Sequence, residues 1–201
     1  MSEEKPTIGV TIGDAAGIGP EITLKAISDK TSRAMCRVVL IGDAGHMRRL
    51  ATKLGVALDD IEIVDLNNLP TEFGIGVDAA VTGKASAEYI VKAVELWREG
   101  KVDAICTAPI SKKAIALGGY NYPGHTEFIA ELTNTGDFRM SFFADKLRVV
   151  LLSTHLPLTK AIHLPANTAV IHGVARKLAA ALLMPPRHPC LKERAPAGGA
   201  G

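Results

Sequence analysis

The sequence is poor in the features that would carry a chain out of the cytoplasm, into a membrane or onto nucleic acid. Its three cysteines, Cys36, Cys106 and Cys190, are an odd and sparse set that makes no disulfide framework. None pairs as CxxC, which argues against a thiolate metal centre. Cys36 and Cys106 lie in or beside apolar runs and read as small core residues. Charge of one sign is also lacking: 23 Lys and Arg against 21 Asp and Glu leave a net charge of +2. The basic residues are scattered apart from short pairs such as Arg48-Arg49 and Lys112-Lys113, which read as solvated helix faces. A nucleic-acid surface needs clustered positive charge. No stretch approaches the ~18 uninterrupted apolar residues of a membrane span. The start, MSEEKPTIGVTIG, lacks the basic lead and apolar run of a signal peptide. These absences predict a cytoplasmic protein with no nucleic-acid and no membrane partner.

What is present has the rhythm of an α/β protein. Residues 7–12, 37–41, 61–66 and 102–107 are short apolar, β-branched runs that read as strands. Between them, Pro20 opens a helix expected to reach about Asp29, residues 44–54 form a helix closed by Gly55, and residues 85–98 carry apolar groups at helical spacing up to Gly100. Residues 67–84 read as irregular and 111–117 as a short helix. Strands alternating with helices imply a largely parallel sheet. Two adjacent strands near 140–144 and 147–153 suggest a hairpin through Asp145-Lys146, an antiparallel element in a second lobe. A helix is expected over 166–183; from Met184 the chain loses periodicity and gathers proline, glycine, alanine and arginine, which reads as a disordered tail. No internal repeat is found.

Four segments concentrate polar groups. Gly13 to Glu21, GDAAGIGPE, joins a strand to a helix; its glycines allow a close backbone approach to an anion at the helix N-terminus. Its spacing is neither the dinucleotide fingerprint nor a Walker loop. A tight connection in which Asp14 makes local turn bonds explains it as well. Thr107 to Lys112, TAPISK, follows a strand end, where α/β sheets bind ligands, yet Ser111 fits equally as a helix cap. Tyr122 to Glu127, YPGHTE, sets His125 to bind a phosphate or carboxylate or to move a proton; alternatively His125 caps a helix whose dipole Glu127 complements. Ser153 to Leu158, STHLPL, offers His155 as a metal ligand, although one histidine makes no site and no HxH or HExxH partner is near. His163 and His172 fall on other local faces, His46 reads as a helix-surface residue, and His188 lies in the tail.

The order and wording of these phrases resemble the 4-hydroxythreonine-4-phosphate dehydrogenase family, over about residues 7–183. The resemblance implies a two-lobed α/β fold like isocitrate and isopropylmalate dehydrogenases, with lobes at 1–124 and 125–183 and a non-native or disordered tail at 184–201. It implies a homodimer, a small phosphorylated hydroxy-acid substrate, NAD or NADP, and a divalent metal (Zn, Mg or Co). The implied reaction oxidises and decarboxylates 4-phosphooxy-L-threonine to 3-amino-2-oxopropyl phosphate for vitamin B6 synthesis. Carried over by motif, His125 and Thr126 bind substrate and His155 binds the metal, with Asp14 and Lys112 as weaker candidates. The logic is consistent, because a cation chelated by the substrate hydroxyl lowers its pKa and then stabilises the enolate left by CO₂.

The family's further histidine phrases, N-P-H-A-G-E and Y-H-D-Q-G, do not occur here. The second lobe is therefore expected to be incomplete and the chain to be a truncated product, weakly stable or self-associating. Within the same family, 4-phospho-D-threonate or D-erythronate is the alternative substrate, and a dihydrodiol of an aromatic acid a more distant one. An inactive, anion-binding or dimer-forming remnant is the reading from a different class.

Overall fold

The computed structural model describes residues 5–136, 138–144, 147–154 and 156–163. They divide into two compact units, Met1–Asn134 and Thr135–Gly201. The first unit holds β1 (Thr7–Thr11), α1 (Gly19–Ser28), α2 (Lys30–Met35), β2 (Arg37–Gly42), α3 (Ala44–Leu54), β3 (Glu62–Asp65), α4 (Ala80–Arg98), β4 (Ala104–Thr107), α5 (Lys112–Leu117) and α6 (His125–Leu132). Its four strands form a parallel sheet in the order β3-β2-β1-β4, with Val10 level with Leu40 and Cys106. The α/β class with a parallel sheet is thus as the alternation of apolar runs implies.

The periodicity placed most of these elements because burial demands it. Ile12, Leu24, Leu40, Ile41, Met47 and Tyr89 form the main core between sheet and helices. Gly55 closes α3 in the left-handed conformation, its N–H returning to Ala51 O, as a helix-ending glycine does. A smaller core joins Ala87 and Ile90 of α4 to Phe128 of α6, and Tyr122 stacks on Phe128 with ring centroids 4.1 Å apart. That packing places α6 in the first unit.

Three readings of the sequence need correction. Helix α4 begins at Ala80, within the stretch read as irregular. Gly83 made that stretch look like a loop, but its glycine serves contact: a Cβ there would lie 1.8 Å from Ala114 O of α5. Second, α2 follows α1 after one residue, capped by Asp29, whose side chain accepts from Ser32 N–H; a polar helix with no buried residue gives no apolar period to read. Third, Cys106 is exposed and Cys36 half-buried, because β4 lies at the end of the strand order and Cys36 precedes β2.

In the second unit, β5 (Ser141–Ala144) and β6 (Leu147–Val150) pair antiparallel, Ser141 opposite Val150, as the hairpin reading expects. A short α7 (Leu158–Ala161) follows. The helix expected over 166–183 and the tail at 184–201 lie outside the described residues. Among the described residues no helix is long and apolar enough to cross a membrane.

Candidate functional site

From β1 the chain steps to β2 and β3 on one side, then returns through α4 to lay β4 on the other side of β1. The loops after β1 and β4 therefore lie side by side at the carboxyl edge of the sheet, the place where open α/β sheets form a ligand crevice. Three of the four polar segments meet there.

The first is the Gly13–Ile18 loop. Gly13 has φ +71, and a Cβ on it would lie 2.3 Å from Pro109 O; conformation and contact both require glycine. Asp14 N–H donates to Pro109 O at 2.9 Å. Its carboxylate, in a residue only 6% exposed, accepts from Ala16 N–H at 3.0 Å, and Gly17 N–H returns to Asp14 O. The turn-forming reading of Asp14 therefore describes its contacts. A carboxylate in the turn leading into α1 also works against a second anion at that helix end.

The second is the β4 loop. Ala108 N–H donates to Thr11 O at 3.1 Å, which continues the ladder past the strand. Ser111 caps α5 by accepting from Ala114 N–H, and its hydroxyl donates to Asp78. Lys113 Nζ lies 3.4 Å from the same carboxylate. The Ser111 hydroxyl first, and then Lys113, hold Asp78 below the usual carboxylate range. Lys112 is exposed and forms no hydrogen bond or ion pair among the described residues; the paired lysine is Lys113.

The third is the start of α6. Gly124 is its N-cap and His125 its first residue. The His125 ring faces the Ala108 backbone, and its Nε2 is buried with no partner among the described residues. Burial pushes the imidazole below its ordinary pKa, and the Ala108 backbone pulls the other way; the ring is neutral at pH 7. Thr126 beside it is half-buried. The Pro109 carbonyl thus ties Asp14 to the β4 loop, whose Ala108 backbone faces His125.

The fourth segment is in the second unit, and His155 lies outside the described residues. Among the described residues no three His, Cys, Asp or Glu converge as a metal site. Two surface hollows, one between Leu66, Glu88 and Tyr120 and one between Arg37, Glu62 and Lys101, include neither Asp14 nor His125.

Sequence reasoning missed Asp78, which sits in the stretch before α4 with no motif around it. It also placed His46 on a helix surface, whereas His46 is half-buried, its Nε2 without a partner among the described residues and its ring 5.2 Å from that of Phe73. Phe73 comes from the segment after β3, a tertiary neighbour that helical periodicity does not reveal. Thr11, fully buried with no partner for Oγ1 among the described residues, was read only as strand.

Comparison with known proteins gives this geometry a setting. The family model described as pyridoxal phosphate biosynthetic protein PdxA matches residues 34–184. The D-threonate 4-phosphate dehydrogenase of Cupriavidus necator is 40% identical over 177 residues, which cover 81% of this chain and 53% of that protein. A solved 4-hydroxythreonine-4-phosphate dehydrogenase from Burkholderia phymatum superposes with a TM-score of 0.79 at 34% identity, covering 90% of this chain and 59% of that one. A terephthalate 1,2-cis-dihydrodiol dehydrogenase from Burkholderia xenovorans is similar at a TM-score of 0.65 and 31% identity, covering 92% and 60%. The chain spans about half the length of the curated relatives it matches.

Proposed function

The chain belongs to the PdxA family, and on that premise we propose that its switch-point loops form part of the substrate site of a dehydrogenase acting on a small 4-phosphorylated hydroxy acid. The observation that supports this best is His125, a neutral imidazole beside the Ala108 backbone whose buried Nε2 has no partner among the described residues. Such a nitrogen accepts a hydrogen bond from a substrate hydroxyl or a singly protonated phosphate. Thr126 adds a hydroxyl next to it, and the free Lys112 ammonium a charge for the phosphate or carboxylate. Asp14 acts by holding the neighbouring loop in place.

In the proposed reaction the carbinol carbon gives up its hydrogen with the bonding electron pair and its hydroxyl gives up a proton. The β-keto acid then loses CO₂. NAD or NADP would supply the hydride acceptor; the Gly13–Gly19 spacing is not the dinucleotide fingerprint, so this cofactor rests on the dehydrogenase names of the relatives. For a divalent cation the described residues supply no converging donors, and no step is assigned to one. His155 is a proposed ligand on its motif alone. The two-lobed isocitrate dehydrogenase-like arrangement and the homodimer are proposals of the same standing.

The substrate we put first is 4-phosphooxy-L-threonine, as in the solved 4-hydroxythreonine-4-phosphate dehydrogenase. The second is 4-phospho-D-threonate, favoured by the higher identity of the Cupriavidus enzyme, 40% against 34%. The two differ at C2, amine against hydroxyl. Isothermal titration of the chain with each, followed by NAD⁺ reduction with a divalent cation, tests both. Binding that shifts the His125 ring resonances and weakens at least tenfold in His125→Ala, on the order of 1.4 kcal/mol, supports the site. Binding of either acid that His125→Ala leaves unchanged overturns it, and the tighter ligand decides between the substrates.

A further inference from the structure

The segment from Leu66 to Ala79 runs from the end of β3 to the start of α4 and is tied down at few points. Leu66 N–H donates to Gly42 O and Leu69 N–H to Asp43 Oδ2 at 3.2 Å. Farther on, Gly76 N–H donates to Ala16 O at 2.7 Å, in the Asp14 loop, and Asp78 accepts from Ser111. Between Leu69 and Gly76 the anchor is Phe73, whose ring meets that of His46 at 5.2 Å and 50°.

His46 is badly placed to carry charge. It sits in the first turn of α3, its backbone N–H held by Asp43 Oδ1 at 2.7 Å, where the helix dipole disfavours a cation. Its Nε2 is buried without a partner among the described residues. Arg49 and Lys53 on the same helix add like charge, and Asp43 alone opposes them among the groups that act on the ring. The neighbouring elements bring Glu72, which is exposed, Asp65, whose Oδ1 is engaged by Ala44 and Asn67 N–H, and Tyr89, which donates to Asn68. None of these offers Nε2 an acceptor.

We propose that His46 is a proton-operated latch: on protonation it leaves its pocket with Phe73, and the 70–76 stretch opens away from the Asp14 loop. Burial foremost, then Arg49, push the imidazole below its ordinary range, against the pull of Asp43. The closed form therefore binds the proton less well than the open one. Its full stability holds above about pH 6.5, the ordinary histidine value, and is lost as pH falls from there through the closed-state value. The latch lies beside the switch point and borders the crevice, but it involves no substrate and stands apart from the proposed activity.

The test is amide exchange and histidine NMR titration on the full chain between pH 7.5 and 5. His46 should titrate below a free histidine. The protection of Gly76, referred to that of Leu40 in β2, should fall by up to about tenfold for each unit of that depression. His46→Gln should hold Gly76 protection level across the range, and Phe73→Ala should return His46 to its ordinary value. A His46 that titrates at or above the free value overturns the latch. So does a Gly76 loss that Leu40 shares in full, which would be global unfolding, or one that survives in His46→Gln.

Discussion

The sheet of the first unit and the hairpin of the second are written in the same apolar alphabet but meet different fates. Leu40 and Ile41 of β2 are wholly buried under α4 and its neighbours. In β5 and β6, Phe142, Phe143 and Leu147 are 55%, 58% and 65% exposed. The sheet has four strands and helices to cover it, whereas a lone two-stranded hairpin is at best marginally stable in water. An apolar run specifies a strand in both places; what buries it is tertiary, and only the first unit carries that cover among its described residues.

The largest effect should come where the first unit is tightest. A Cβ at Gly83 would meet Ala114 O at 1.8 Å, while at Gly55, with φ +67, it meets nothing within 4 Å. Gly83→Ala must push α5 off α4 and should cost about 3 kcal/mol or more. Gly55→Ala should cost only its left-handed strain, about 1–2 kcal/mol. Urea unfolding measures both; equal losses would mean that the α4–α5 contact is not the close approach described.

Next comes the contrast between sheet and hairpin. Leu40→Ala opens a cavity in the main core and should cost about 2–5 kcal/mol. Phe142→Ser should stay within about 0.5 kcal/mol and should reduce self-association in sedimentation, since exposed apolar patches drive association. If Phe142→Ser destabilises as much as Leu40→Ala, the hairpin has a cover of its own and the comparison fails.

Much of the first unit was legible because burial writes a period into the sequence. Residues 44–54 with Gly55, the four strands and the cap at Ser111 all follow from local chemistry. What escaped depended on contacts between distant residues. Gly83 is a helical glycine needed by Ala114, and nothing local says so. The site divides the same way. His125 was singled out by its phrase, but the grip of Asp14 on the β4 loop through Pro109 required the crossover that sets β4 beside β1. Asp78 and His46 belong to the same category: single polar residues whose partners, Ser111 and Phe73, come from elsewhere in the chain.

The smallest effect, and the finest probe of the first unit, is Asp78. Its carboxylate joins the stretch before α4 to Ser111 and Lys113 at the mouth of the crevice. The Ser111 hydroxyl and Lys113 lower its pKa, so its contribution is present above the ordinary carboxylate range and is lost as pH falls through the lowered value. Asp78→Asn should therefore lower the thermal midpoint slightly at neutral pH, and the gap to the parent chain should close in acid. As pH falls, the His46 window opens at the ordinary histidine value and the Asp78 window only at the ordinary carboxylate value, which separates the two anchors of the same segment. Asp78→Asn should loosen Gly76 at pH 7, where His46 is neutral and the latch is shut. A midpoint difference that does not vary with pH would mean that Asp78 acts through shape rather than charge, and an unchanged Gly76 would mean that Phe73 alone holds the segment.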